Sequence, residues 1–294
     1  MKEIVVKKEE HSKKLSVVLL KHFPGLSLNN FNKALRKKDI RVNDIKVNSN
    51  VALNENDKVK IYVPDCDLIK NSRVDIENYI IYEDNNIIIL NKEEGMCVTS
   101  DIDNEFSMTD LLVQYANGKY LPNPSHRLDR NTKGIVIFAK NEETLEELNI
   151  CFSERLIDKY YKCLVYGILE KKDDVLESFL FKDAKKNVVK ISNKKGKGYV
   201  GIKTKYTVIN EDKENNISVL EVELLTGRTH QIRAHLASIG HFVIGDNKYG
   251  NKQINKVLKR NTQQLVAYKI KFNTKKLNVL RYLDGKVFEI NVEF

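Results

Sequence analysis

One acid stands among cations just ahead of a buried-looking apolar run. In Ser125-His126-Arg127-Leu128-Asp129-Arg130-Asn131-Thr132-Lys133-Gly134, Asp129 has Arg127, Arg130 and Lys133 for neighbours, and Ile135 to Ala139 follow without a polar residue. Nearby cations favour the ionised form of a carboxylate. Such an anion can anchor structure, bind a cation or act as a nucleophile. A structural ion pair uses the same charges, so the loop alone leaves these readings open. Pro122 and Pro124, two of four prolines, stiffen the approach by fixing φ. Gly134 offers a turn with positive φ at the exit.

A second polar constellation is Thr226-Gly227-Arg228-Thr229-His230-Gln231-Ile232-Arg233-Ala234-His235-Leu236. Read as a helix capped by Thr229, it puts Ile232, Leu236 and Ile239 on a core stripe, with His230 and Arg233 on the other side. Gly240 closes it, and Gly245-Asp246-Asn247-Lys248-Tyr249-Gly250 comes soon after. His230, His235 and His241 raise the question of a metal. His230 and His235 are five apart rather than the four apart of a helical zinc pair, so no metal is expected. Tyr161 sits in Lys159 to Gly167, which reads as a strand, where packing alone would account for it.

The elements around these segments follow from their patterning. Tyr79 to Asn91 reads as a hairpin turning at Glu83-Asp84-Asn85-Asn86. Met108, Leu111, Leu112 and Tyr115 mark a helix before the first loop, and Leu145, Leu148, Cys151, Phe152 and Leu156 mark one after it. Ile217 to Leu225 is a strand leading into the second constellation, and Lys269 to Phe272 and Val287 to Phe294 are final strands. Residues 168–200, rich in Lys and Asp, read as loops and short strands.

The first quarter reads as a unit of its own. Leu15, Val18, Leu19 and His22 share a helical face, with Ser12 as a possible cap and Pro24-Gly25 as the stop. A second helix begins after Ser27. It turns Leu28, Phe31 and Leu35 to one side and Lys33, Arg36 and Lys37 to nearly the opposite one. Ile40 to Val42, Asn43-Asp44 and Ile45 to Val47 read as strand, turn and strand, and Lys58 to Val63 as a closing strand.

Bulk properties narrow the class. The 294 residues are 41% hydrophobic, and no apolar run is long enough to span a membrane. Met1 to Lys8 lacks the apolar core of a secretory signal. Cys66, Cys97, Cys151 and Cys163 are scattered, which argues against a zinc site or a disulfide scaffold and suits a reducing cytoplasm. The formal charge of +10 points to a polyanionic partner. Residues 1–75 hold 16 Lys/Arg against 10 Asp/Glu, a large share of that excess.

The first loop resembles the motif His-Arg-Leu-Asp-x-x-Thr-Ser-Gly of the RluA family of pseudouridine synthases. Leu90-Asn91-Lys92-Glu93-Glu94-Gly95 resembles that family's opening Asn-Lys-Pro-x-Gly, and Lys159-Tyr160-Tyr161 its Lys-x-Tyr strand. Thr226 to Leu236 and Gly245 to Gly250 are similar to its third motif almost word for word. Residues 11–64, with Leu26-Ser27 and Arg41-Val42-Asn43, resemble the alpha-L RNA-binding module of a ribosomal protein. Three positions depart from the pattern: Lys133 stands for Ser, Glu93 for Pro, and Val266 for the His of a common Leu-His-Ala.

The resemblance implies an α+β protein. Its parts are the small N-terminal α+β module at 11–64, a linker at 65–78, and a catalytic domain at 79–294 with a mixed, largely antiparallel sheet and flanking helices. It implies isomerisation of uridine to pseudouridine by base flipping, without cofactor or metal, in large-subunit ribosomal RNA, with transfer RNA as the alternative. Asp129 takes the nucleophile's place, Arg233 that of its arginine partner and Tyr161 that of the tyrosine on the uracil. Arg127 falls where a residue fills the flipped base's vacancy. His126, Arg228, His230 and Lys133 are further expected RNA contacts, together with Lys33, Arg36 and Lys37. RNA is the expected partner, with no membrane and no obligate protein partner. Two other classes compete: a non-catalytic RNA-binding protein, and a glycosidic hydrolase, which needs a second carboxylate that the sequence does not locate.

Overall fold

The structure, a computed structural model, describes residues 1–63, 76–100 and 107–294. Most of the expected linker, Pro64 and Cys66 lie outside the described residues. The chain gathers into two compact units. The smaller comprises residues 1–89, 96–127 and 137–145, and the larger residues 90–95, 128–136 and 146–294.

The smaller unit opens with β1 (Lys2–Val5), α1 (Leu15–His22), α2 (Leu28–Lys37), β2 (Ile40–Val42), β3 (Ile45–Lys46) and β4 (Lys58–Ile61). The four strands form one sheet in the order β1-β4-β2-β3. The Ser27 hydroxyl caps α2 by accepting from the Asn30 N–H, which supplies one of the bonds a helix start lacks. Ser12 caps nothing: it has a φ of 63°, and α1 begins after Lys14 without a side-chain cap. Asn43 and Asp44 both have positive φ, as a two-residue hairpin turn requires. Phe31 and Leu35 are buried while Arg36 and Lys37 are exposed and Lys33 is half-buried, so the C-terminal part of the charged face of α2 is solvated.

The same unit continues with β5 (Ile80–Glu83), the start of β6 (Ile87–Lys92), α3 (Met108–Ala116), β7 (Asn123–Pro124), the end of β8 (Lys133–Ala139) and the start of α4 (Glu142–Glu154). Val113 of α3 shares a core with Leu19, Phe31 and Ile61, and Leu121 packs against it. Asp110 of α3 accepts from the Leu28 N–H at 2.7 Å. The N-terminal residues are therefore built into a wider core.

The larger unit contains β9 (Ile157–Tyr166), β10 (Asp173–Asp183), β11 (Val188–Ser192), β12 (Val200–Asp212), β13 (Ile217–Leu224), α5 (Gln231–Ser238), α6 (Lys252–Val257), β14 (Leu265–Phe272) and β15 (Val287–Glu289). Its strands run β11-β10-β12-β13-β9-β14-β8-β6, counting only the ends of β8 and β6 that belong to it. β14 is antiparallel to β9 and β15 but parallel to β8. The fold is α+β with a mixed, largely antiparallel sheet. No helix among the described residues is long and apolar enough to cross a membrane.

Several expectations need correction. Residues 168–200 hold the long strand β10 and the edge strand β11 rather than loops and short strands. The charges that hid β10 are matched across the sheet: Glu177 lies opposite Lys203 and bonds it at 2.7 Å. Thr229 does not cap α5, whose N-cap is His230 in the left-handed region, and Ile239 is exposed instead of core. Gly134 has positive φ, but inside β8 rather than in a turn. A Cβ there would meet the Ala267 carbonyl oxygen at 2.1 Å, so glycine lets β8 and β14 run side by side.

Candidate active site

The larger unit holds the Asp129 loop at the start of β8 from several sides. The Arg130 carbonyl accepts from the Gly95 N–H at 3.0 Å and from the Lys92 ammonium at 2.9 Å, while the Arg130 Nε–H returns to the Gly95 carbonyl at 2.9 Å. Lys92 is fully buried and also donates to the Glu93 carbonyl at 2.8 Å. The Thr132 hydroxyl accepts from Gln263 at 2.8 Å. A loop tied at its backbone to β6 keeps its side chains placed without each needing its own brace.

Asp129 and Arg233 meet. Nη1 of Arg233 donates to Oδ2 of Asp129 at 2.9 Å. The rest of the guanidinium faces Asp246, with Nε to Oδ2 at 2.7 Å and Nη2 to Oδ1 at 2.9 Å. A two-pronged grip of this kind fixes a guanidinium plane as a single bond does not. Asp246 is itself anchored by the N–H groups of Lys248 and Tyr249. Burial would raise its carboxyl, but Arg233 and those N–H groups hold it below the usual range. Burial likewise disfavours the Arg233 cation, and the two carboxylates outweigh that. Gly245 makes the corner before Asp246, since a Cβ there would strike the Thr262 carbonyl oxygen at 1.8 Å.

One side of the Asp129 carboxylate is left open. Oδ1 accepts no hydrogen bond among the described residues, and the side chain is 27% exposed. Tyr161 of β9 is buried. Burial first, and then the charge of Asp129, pushes its phenol upward, so it stays protonated. His230 stands 3.9 Å from Oδ2 through Nε2. Its Nδ1 shares a 2.8 Å hydrogen bond with the Tyr249 hydroxyl, whose oxygen also accepts from the Val189 N–H. That contact fixes the orientation of the ring, with Nε2 facing Asp129. Burial lowers the His230 pKa and so keeps the ring neutral.

The other histidines serve separate purposes. His235 is buried against the Thr204 hydroxyl at 2.9 Å, and burial takes it down to about 4. His241 donates from Nδ1 to the Tyr166 carbonyl at 3.1 Å. Gln231 knits the turn before α5, accepting from Thr226 and the Arg228 N–H and donating to the Lys203 carbonyl.

Of the expected site residues, Asp129, Arg233 and His230 come together, and Tyr161 is close enough to feel the Asp129 charge. Arg228 is exposed in the same unit. Arg127, exposed, and His126, whose Nε2 accepts from the Ile137 N–H at 3.1 Å, belong to the smaller unit with Lys33, Arg36 and Lys37. Asp246, Lys92 and Tyr249 had no role in the sequence reading. Asp246 and Tyr249 stand in the Gly245 to Gly250 motif, and Lys92 in the opening one. Only their partners give them work.

The three departures from the family pattern lie together. Lys133 forms an ion pair with Glu93 at 3.2 Å, and Val266 is the partner of Lys133 across β14 and β8. Both charges are well exposed, so a double-mutant cycle of Glu93→Ala and Lys133→Ala, followed by denaturant unfolding, should give a coupling of about 0.2–1 kcal/mol that fades at high salt. Strictly additive losses at low salt would show that the two changes are independent.

The family profile described as RNA pseudouridylate synthase matches residues 86–238. The ribosomal large subunit pseudouridine synthase C of Buchnera aphidicola is 35% identical over 259 residues, covering 82% of this chain and 78% of that protein. That of Rickettsia felis is 30% identical and covers 83% of each. Among solved structures, human RNA pseudouridylate synthase domain containing 1 aligns with a TM-score of 0.60 at 21% identity, over 76% of this chain and 86% of that one. The last shares the fold.

Proposed function

We propose that this chain, which belongs to the RNA pseudouridylate synthase family and is an RNA pseudouridine synthase of the RluA type, modifies uridines of large-subunit ribosomal RNA with Asp129 as nucleophile. The observation that carries the reading is the lopsided environment of the Asp129 carboxylate, with Oδ2 held by Arg233 and Oδ1 open. Isomerisation breaks the C1′–N1 bond and forms a C1′–C5 bond. C5 gives up a proton and N1 gains one, with no change of oxidation state and no net water. Oδ1 makes the temporary bond to the nucleoside while Arg233 and Asp246 keep the carboxylate charged and aimed. Tyr161 offers the detached uracil an aromatic face. As a neutral phenol it accepts the C5 proton only by passing on its own in the same step.

A stacked uridine is out of reach, and unstacking costs a few kcal/mol. Arg127, two residues before the nucleophile, fills the vacancy. Arg228, His126, His230 and Lys133 bind the strand around the flipped base. The exposed face of α2 contacts phosphates in the manner of an alpha-L module. Replacing Lys33, Arg36 and Lys37 together by Gln should leave the saturated single-turnover rate intact. It should also make the fall of affinity with salt shallower by about 2, at roughly 0.7–0.9 per phosphate. An unchanged salt slope would remove α2 from the interface.

The ribosomal assignment is supported by the names of the bacterial relatives. Its test is incubation of the protein with unmodified large-subunit ribosomal RNA and, separately, with unmodified transfer RNA, followed by pseudouridine mapping. Site-specific conversion in the ribosomal RNA is expected. Conversion of transfer RNA alone would move the substrate class, and free uracil would turn the enzyme into a hydrolase.

A further inference from the structure

Helix α6 is held in place by an amide. Asn255 is the one buried residue among Lys252–Val257, whereas Ile254 is half-buried and Val257 is 80% exposed. A surface helix ordinarily docks by an apolar stripe, and burying an amide instead is unfavourable unless both of its ends find partners. Here both do. Oδ1 of Asn255 accepts from the Gly245 N–H at 2.9 Å, and Nδ2 donates to the Asp246 carbonyl at 3.3 Å. The side chain thus clasps the Gly245-Asp246 pair from its first N–H to its last carbonyl, while the Asp246 carboxylate grips Arg233.

The chain beyond α6 returns to the same place. The Arg260 N–H donates to the Asn255 carbonyl at 3.0 Å, and the Gln264 N–H to the Ile244 carbonyl at 2.9 Å. Between them the Thr262 carbonyl lies against Gly245, close enough to exclude any Cβ there. Gln263 then reaches the nucleophile's loop. Its Nε2 donates to the Thr132 hydroxyl at 2.8 Å, and the Thr132 N–H donates to the Asp129 carbonyl at 3.0 Å. Asn255, Gln263 and Thr132 are each at most 4% exposed, so water does not compete for these bonds.

One short segment therefore touches both halves of the charged pair. Asn255 fixes the backbone that carries Asp246, and through Asp246 the guanidinium of Arg233. Gln263 fixes the loop that carries Asp129. Asp129 and Arg233 are 104 residues apart in sequence and meet through a single 2.9 Å bond. A bond of that kind keeps its length only if the two backbones behind it are held in register. We propose that residues 255–263 are the brace that sets this register, with Asn255 and Gln263 as positioning residues for the reaction. Neither touches the substrate; they act through Asp246 and Thr132.

The brace rests on the reading of Asp129 as nucleophile and explains how its partner stays in place. It is tested in the full chain with Asn255→Ala, Gln263→Ala and the double variant, with Val257→Ala as a control on the same helix. Single-turnover conversion of saturating unmodified large-subunit ribosomal RNA, RNA affinity and thermal midpoint are measured on each, the rates below the midpoint. A displacement of about 1 Å at a reacting group slows a reaction roughly 10²-fold, so each single variant, cutting one end of the brace, should lose about ten- to thirtyfold in rate. RNA affinity should stay that of wild type, and Val257→Ala should match wild type throughout. The double variant should lose little more than either single one, because the second cut frees nothing that the first left fixed. If Asn255→Ala does not fold at the assay temperature, Asn255→Asp takes its place: it keeps an acceptor for the Gly245 N–H, loses the donor to Asp246 and carries the same expectations. Wild-type rates in both single variants, a loss confined to affinity, or losses that multiply in the double variant as independent packing defects do, would overturn the brace and leave the enzymatic reading standing. No pseudouridine from wild type would sink that reading, and the brace with it.

Discussion

Asp246→Ala lowers the stability of this enzyme by about 3–5 kcal/mol and slows its single-turnover rate by about a hundredfold in the molecules that remain folded. The first figure is the usual loss when one partner of a buried, hydrogen-bonded ion pair is removed: Arg233 keeps Asp129 as a counter-ion, but its buried Nε and Nη2 donors lose their acceptors. The second follows from geometry. Arg233 has two bonds to Asp246 and one to Asp129, so without Asp246 its plane is no longer fixed. A misplacement of about 1 Å at a reacting group costs roughly 10²-fold. The stability loss also depends on pH with a definite sign. The Asp246 carboxyl is held below its ordinary value. Its contribution is therefore complete above the unfolded value of about 4 and is lost as pH falls through the lower folded value. Denaturant unfolding should show the full gap between wild type and variant at pH 7, closing progressively below about pH 4. A folded variant whose rate stays within about threefold of wild type would make Asp246 a packing residue only.

How much of this was readable beforehand differs from element to element. The Asp129 loop, α5 and β9 announced themselves because each joins a polar motif to an apolar run of clear period. The meeting of Asp129 with Arg233 was expected only through the resemblance, since nothing local to either segment specifies a partner so far away in sequence. Asp246 was visible as a residue and invisible as a role. Its function lies in bonds to Arg233 and to two following N–H groups, and those exist only after the chain has turned at Gly245. Glu93 and Lys133 looked like two separate flaws in a motif, and folding brings them together as a pair. Strand β10 was missed because Asp174 and Glu177 interrupt its apolar residues; its charges find their lysines next door or across the sheet, where a linear pattern does not look. Thr229 was a reasonable cap by type. The chain instead enters α5 through a left-handed His230, which ties the ring to Tyr249 and leaves Nε2 facing Asp129.

Asp129→Asn carries the largest expected effect on rate. The amide keeps the side chain's size but is a far poorer nucleophile, and it turns either an N–H or a weaker acceptor toward Arg233. Losing the nucleophile of a preorganised site typically costs on the order of 10⁴-fold or more in turnover. RNA affinity should change little, because the proposed phosphate contacts on α2 are untouched. The decisive measurement is single-turnover conversion of saturating large-subunit ribosomal RNA by wild type and by Asp129→Asn, with affinity measured on the same preparations. The mass of the variant is checked to exclude reversion of Asn to Asp. The predicted result is pseudouridine from wild type only, with RNA bound equally well by both. Conversion by the intact variant at more than about one part in a thousand of the wild-type rate would contradict a nucleophilic Asp129.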